Sequence, residues 1–229
     1  MMHRTLLESA VLVLLLSASV SAQGLQVRHD HDPWGSCEGE LEITSDGIRY
    51  EPIEGDHDRT WTWVDIQNFD RRSPDEFSLL TYEDFVWHLG LDRAFDFTVL
   101  AGESTLDDAS FARIRANLSR PVIDRMVLQI EPEYQVAVKH LHLLGGCDGV
   151  LTFGEDWVVY ETDHEQDART WGRDELASLW SSGSFELELR VLEKDRRAFS
   201  TTSTFKFQLK APLNRDYYEL LRREFLLRR

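Results

Sequence analysis

Apolar residues recur at every second position over Cys37, Gly39, Leu41 and Ile43, and again over Cys147, Gly149, Leu151 and Phe153. A period of two places such side chains on one face of an extended strand and the residues between them on the other. Ser45-Asp46-Gly47 then carries the Asp-Gly signal of a tight hairpin, and Ile48-Arg49-Tyr50 returns with alternating character. In the later stretch a looser turn, Gly154-Glu155-Asp156, precedes Trp157-Val158-Val159-Tyr160. Further strands are predicted over 59–69, 76–82, 85–89, 94–100, 185–192 and 204–209. After residue 100 the period changes. Phe111, Ile114 and Leu118 are spaced by three and four, and Thr105 with Asp108 resembles a capping box, which predicts a helix of about 14 residues. Pro212 followed by Tyr218, Leu221 and Phe225 predicts a second helix near the end.

These two patterns are copies of one another. A shift of 110 residues carries Cys37, Gly39, Leu41, Asp46, Tyr50 and Glu51 onto Cys147, Gly149, Leu151, Asp156, Tyr160 and Glu161. The same shift carries Arg59-Thr60-Trp61 onto Arg169-Thr170-Trp171, and Phe95 and Phe97 onto Phe205 and Phe207. Val27, His29 and His31 match Val138, His140 and His142 with one residue fewer between the blocks. Two copies of so long a period are a tandem domain duplication, because each unit of roughly 90 residues can enclose its own small core. The predicted organisation is a leader over 1–22, a first unit over 23–119, a packed connector over 120–133 and a second unit over 134–229. The connector holds Pro121 and Pro132 but also Val122, Ile123, Met126, Leu128 and Ile130, too apolar a set for a free linker. An extended, packed connection is expected there.

About seven short antiparallel strands followed by one amphipathic helix resembles the pleckstrin-homology-like or GRAM-like domain. The resemblance is one of element order and covers both units. It implies a mainly β (α+β) fold of two tandem units, each a strongly bent barrel or sandwich closed by its C-terminal helix. The tryptophan common in the terminal helix of pleckstrin-homology domains is absent from both predicted helices. A more specific signature, His-x-His, Cys-x-Gly-x-Leu, Gly-Ile-x-Tyr-Glu and Arg-Thr-Trp, resembles a loose group of secreted bacterial proteins and implies no activity. Fold likeness alone transfers none.

Charge narrows the partners. With 41 acidic against 25 basic residues the net charge is −16, which repels nucleic acid and anionic lipid head groups, since both need a basic surface to replace their counterions. The loops that would need to be basic for phosphoinositide recognition, Gly55-Asp56-His57-Asp58 and Asp163-His164-Glu165-Gln166-Asp167, are acidic. Arg4, the apolar run from Ala10 to Val20 and Val20-Ser21-Ala22 form a secretory leader cleaved after Ala22, so a periplasmic or extracellular location is expected. No later stretch is free of charge for the ~20 residues a membrane helix needs. Two cysteines are too few for a disulfide framework.

The chemistry-bearing residues sit in the duplicated blocks. His29, His31, His57, His140, His142 and His164 occupy matching regions, as do Cys37 and Cys147. His57 and His164 correspond only as members of matching loops, while each His-x-His pair shares one strand face. Four readings stand open. The cysteines are small core residues, with the histidines satisfied by carbonyls and carboxylates. Cys37 and Cys147 form an interdomain disulfide, which would contribute about 4–5 kcal/mol in the chain-entropy model. The two sets, His29, His31, Cys37 with His57 and His140, His142, Cys147 with His164, each hold zinc or copper. A cysteine is a histidine-activated nucleophile, which requires solvent access that the alternation argues against.

Arg59 with Trp61, and Arg169 with Trp171, form either a cation–π recognition surface or core tryptophans crossed by arginine stems. The acidic loops around Asp56, Asp58, Asp163 and Asp167 lack the ligand order of an EF-hand. Gly-x-Ser-x-Gly, His-Glu-x-x-His, Cys-x-x-Cys, Walker and Rossmann patterns are all absent. The leading expectation is a secreted, non-catalytic binding or scaffolding protein with a protein or peptide partner and no obligatory cofactor. Its rival is a metal-binding protein that uses the duplicated histidine and cysteine sets.

Overall fold

The computed structural model describes residues 24–31, 35–55, 57–85, 91–102, 105–164, 167–193 and 202–227; the expected leader lies outside them. The first unit runs β1 (Gly24–Asp30), β2 (Ser36–Ile43), β3 (Gly47–Pro52), β4 (Arg59–Thr62), β5 (Ile66–Arg71), β6 (Glu76–Phe85), β7 (Leu91–Val99) and α1 (Asp108–Asn117). The connector supplies β8 (Val122–Asp124) and a 3-10 turn over Arg125–Gln129. The second unit repeats the order with β9 (Tyr134–Leu141), β10 (Gly146–Phe153), β11 (Trp157–Thr162), β12 (Arg169–Gly172), β13 (Leu176–Gly183), β14 (Glu186–Val191), β15 (Ser203–Leu209) and α2 (Arg215–Leu227).

The chain is mainly β, with one sheet per unit. Their strand orders are β4-β3-β2-β1-β7-β6-β5-β8 and β12-β11-β10-β9-β15-β14-β13. Each unit is an antiparallel meander whose first strand returns to pair with its seventh. Neither sheet closes into a barrel, because β4 and β5, like β12 and β13, stand at or near opposite ends of their strips. Two separate cores result. The first gathers Tyr50, Trp61, Phe69, Phe77, Phe95 and Phe97 with Phe111 and Ile114 of α1, and the second gathers Phe153, Tyr160, Trp171, Phe205 and Phe207 with Leu221 of α2. Phe77 stacks between Phe69 and Phe97 at centroid distances of 5.6 and 5.4 Å, an offset aromatic column that fixes β5, β6 and β7 face to face with one another's side chains.

Several boundaries differ from the sequence reading, each for a local reason. The strand predicted over 59–69 is two strands, because the Asp65 carboxylate accepts the Thr62 N–H at 2.8 Å and turns the chain between them. Strand β13 escaped the reading because its register with β14 shifts twice and its buried positions do not alternate. The first helix is capped by Asp107 rather than Thr105: its carboxylate accepts the Ser110 N–H at 2.7 Å, and the helix has 10 residues. Asn214 does the same for α2 by accepting the Tyr217 N–H at 3.0 Å.

The connector packs, but only Val122–Asp124 within it form a strand. Strand β8 lies parallel to β5, and the Asp124 N–H donates to Thr170 Oγ1 of β12 at 2.9 Å, so one short segment touches both units. Buried Arg71 donates to both carboxylate oxygens of buried Asp124 at 2.9 and 2.7 Å and to Asp108 at 2.8 Å. Arg125 donates to Asp70, and Arg115 of α1 pairs with Glu175 of the second unit.

Candidate metal centre

Hairpin register assembles the histidine and cysteine sets. In the first unit Leu25, Val27 and His29 stand opposite Leu41, Gly39 and Cys37. In the second, Val136, Val138 and His140 stand opposite Leu151, Gly149 and Cys147. Directly opposed residues share a face, so the apolar row that builds each core ends in a histidine–cysteine pair. The second histidine of each His-x-His follows its strand: the His31 N–H donates to Gly35 O at 2.8 Å and the His142 N–H to Gly145 O at 3.2 Å. Gly35 and Gly145 stand at φ of 98° and 85°, the region that glycine enters without steric cost. The register turns each cysteine toward the histidines.

The Cys-x-Gly pattern has its own cause. A Cβ on Gly39 would lie 2.7 Å from Tyr50 Cε2 and 2.4 Å from Glu51 O, and one on Gly149 would lie 2.6 Å from Tyr160 Cε2 and 2.2 Å from Glu161 O. Each glycine therefore lets a tyrosine ring cross its strand and reach the cysteine. The Tyr50 hydroxyl lies 3.0 Å from Cys37 Sγ, and the Tyr160 hydroxyl donates to Cys147 O at 3.1 Å. Burial raises the pKa of both phenols, that of Tyr160 to about 12, so both stay protonated donors.

The second unit draws four donor atoms together. His142 Nε2 lies 3.1 Å from His140 Nδ1, 3.4 Å from Cys147 Sγ and 3.6 Å from Asp167 Oδ2, and Cys147 Sγ lies 3.4 Å from the same carboxylate oxygen. The donors of His140, His142 and Asp167 all fall within 4.8 Å of one another. Burial, then the neighbouring His142, lowers the His140 pKa to about 4, so its imidazole is neutral and keeps a lone pair. Burial, then the Asp167 carboxylate, raises that of the Cys147 thiol, which donates to Asp167.

The first unit differs in two ways. His29 Nδ1 donates to the Asp96 carbonyl at 3.0 Å, which fixes its tautomer and leaves Nε2 as the free lone pair. His31 Nε2 lies 2.9 Å from Cys37 Sγ, and the His31 and His57 rings meet edge-on with centroids 5.3 Å apart. Burial lowers the His29 pKa as well. His57 and Asp167 each stand two residues before the arginine of Arg-Thr-Trp. They are counterparts by position, whereas His57 and His164 match only as members of corresponding loops. Exposed His164 serves the loop through its backbone carbonyl, which accepts the Asp167 N–H at 2.8 Å.

Two expectations are corrected. Cys37 and Cys147 are free thiols, because each is held in its own unit's cluster while the units meet through α1, β5, β8 and β12. Arg59, Trp61, Arg169 and Trp171 form no recognition surface, since Trp61 and Trp171 are only 2% and 3% exposed. Their indole N–H groups donate to Glu83 at 2.8 Å and to Glu193 at 3.3 Å, and Arg59 and Arg169 pair with the same carboxylates. Glu83 and Glu193 stand at the repeat shift of 110 and went unnoticed in the sequence, where they read as two acidic residues among 41.

No protein-family model and no curated protein matches the chain. Among solved structures, the C-terminal domain of an unknown protein from Leishmania infantum is similar over 44% of this chain and 89% of its own, at 14% identity and a TM-score of 0.33. The Spt16D Pob3N heterodimer is similar over 73% of this chain and 80% of its own, at 13% identity and a TM-score of 0.30.

Proposed function

We propose that this is an exported protein whose second unit binds a divalent transition-metal ion, zinc(II) foremost, through His140 Nδ1, His142 Nε2, Asp167 and Cys147. One observation carries the reading: the donors of His140, His142 and Asp167 all lie within 4.8 Å of one another, and Cys147 Sγ lies 3.4 Å from two of them, His142 Nε2 and Asp167 Oδ2. A tetrahedral ion with bonds of ~2.0–2.3 Å requires donor–donor edges of about 3.3–3.7 Å. A carboxylate, two imidazoles and a sulfur are the ligand types that zinc takes in structural sites. Cys147 would give up its thiol proton to solvent on binding, as metal-bound cysteines do. The test is a zinc titration against a chromophoric chelator with wild type, His140→Ala and Asp167→Asn. Stoichiometric zinc in wild type, weakened more than about 10-fold in both variants, supports the site; equal affinity in all three overturns it.

Recognition of a peptide is a second reading. A groove of about 220 Å³ is lined by Leu141, Trp180, Leu187 and Phe207, together with Glu186 and the Glu188–Lys206 ion pair. An extended peptide with basic and apolar residues in alternation would suit both the groove and the net charge of −16. A Lys/Leu-alternating peptide should change Trp180 fluorescence in wild type and not after Leu141→Asp; an identical response in both would remove this reading.

A further inference from the structure

The two duplicated thiols are placed differently. Cys147 is buried at 6% exposure, whereas Cys37 is only half-buried. The alternation that argued against solvent access gives out at Cys37: Gly39, Leu41 and Ile43 are buried, but the cysteine stands one place from the start of β2, where the covered row ends. Cys37 Sγ lies 2.9 Å from His31 Nε2 and 3.0 Å from the Tyr50 hydroxyl. Cys147 instead donates to the Asp167 carboxylate at 3.4 Å, and burial followed by that carboxylate raises its pKa. His31 is held in place beside Cys37. Its N–H donates to Gly35 O at 2.8 Å, and its ring meets those of His29 and His57 edge-on at centroid distances of 5.1 and 5.3 Å. His29 is anchored in turn through Nδ1 on the Asp96 carbonyl. A nucleophile, a base within hydrogen-bond reach and a group that orients the base are the parts of an activated thiol.

We propose that Cys37 is a peroxide-reactive thiol, with His31 as its proton acceptor and Tyr50 as a hydrogen-bond donor to the reacting sulfur. The Cys37 S–H passes its proton to His31 Nε2 as the sulfur attacks one oxygen of hydrogen peroxide. The S–O bond forms and the O–O bond breaks. Sulfur gives up two electrons to the peroxide, the leaving hydroxide takes the proton from His31 and departs as water, and the thiol has become a sulfenic acid. Hydrogen peroxide suits this site better than a carbon electrophile does. It is small enough for a half-buried sulfur, and breaking its O–O bond needs a proton at the leaving oxygen, which His31 has just received. The proposal concerns the first unit and does not depend on zinc at the second.

The test treats the metal-free full chain with hydrogen peroxide in the presence of dimedone, which traps sulfenic acid, and follows the two cysteine peptides by mass spectrometry. Trapping should be at least about 10-fold faster at Cys37 than at Cys147, whose buried thiol is held by Asp167. His31→Gln should slow trapping at Cys37 by more than about 10-fold, since a positioned acid–base group contributes roughly 10²–10⁴-fold. The same variant should slow iodoacetamide alkylation less, because departing iodide needs no proton. Its Cys147 rate should stay as in wild type, since loss of the fold would uncover that thiol. Tyr50→Phe removes only a hydroxyl and tests the cluster independently: trapping at Cys37 should fall by about 3-fold or more. Equal trapping at both cysteines, or a Cys37 rate unchanged in His31→Gln and Tyr50→Phe, overturns the proposal. An equal loss for peroxide and iodoacetamide in His31→Gln contradicts the assignment to peroxide.

Discussion

Gly39 and Gly149 show how a single missing side chain builds a site. Each leaves the space in which a tyrosine ring lies across its strand, with the ring edge 2.6–2.7 Å from where a Cβ would stand. Gly149→Ala should therefore cost about 1–3 kcal/mol, measured by urea unfolding, and should loosen the hold of Tyr160 on Cys147. A cost below about 0.5 kcal/mol would show that the ring moves aside freely. The repeat made both glycines, both tyrosines and both cysteines visible in the sequence. What it could not reveal was the reason for them, because the contact spans two strands. Asp167 was legible in principle: counting back from Arg-Thr-Trp places it on His57, but a histidine in the same loop, His164, drew attention away. Glu83 and Glu193 were hidden for a different reason. A carboxylate that receives an indole N–H in a core edge looks, in sequence, like any other charge on a solvated strand.

Strands with strict alternation were easy to read, and elements shaped by one local bond were not. The pairs Leu25/Leu41 and Val136/Leu151 follow from the hydrophobic pattern once a hairpin is assumed, and they carry His29 onto Cys37 and His140 onto Cys147. The split of β4 from β5 depends on one Asp65 carboxylate, and the start of α1 on one Asp107 carboxylate. Replacing Asp107 by alanine should cost about 1 kcal/mol at neutral pH, the usual worth of an N-cap. The hydrogen bond from the Ser110 backbone holds the Asp107 carboxyl below its ordinary pKa. A depressed folded value means that the contribution is complete above the unfolded carboxylate range and is lost as pH falls through the folded value. The difference between Asp107→Ala and wild type should therefore shrink in acid. A difference that stays constant down to pH ~2 would mean that the cap acts without its charge.

At the scale of the molecule, duplication gave two separate cores, and a short connector ties them. Arg71, buried between Asp124 and Asp108, stands at that joint, and Phe111 lies beneath its guanidinium at 4.1 Å. Arg71→Leu leaves the buried Asp124 carboxylate without its cation and should cost about 3–5 kcal/mol by calorimetry or urea unfolding. A neutral effect would mean that β8 detaches without consequence for either unit. The connector's packing was legible in its apolar residues but its role was not, because Arg71, Asp108 and Asp124 are far apart along the chain and meet only when β8 lies beside β5. The same joint leaves the two histidine–cysteine clusters in separate units. Zinc-edge X-ray absorption on the full chain, loaded with zinc and cleared of excess, tests the metal reading most directly. The account predicts imidazole scattering with nitrogen and oxygen at ~2.0–2.1 Å and one sulfur at ~2.3 Å, the sulfur lost in Cys147→Ser. A shell of oxygen alone, or a protein that retains no zinc, would contradict it.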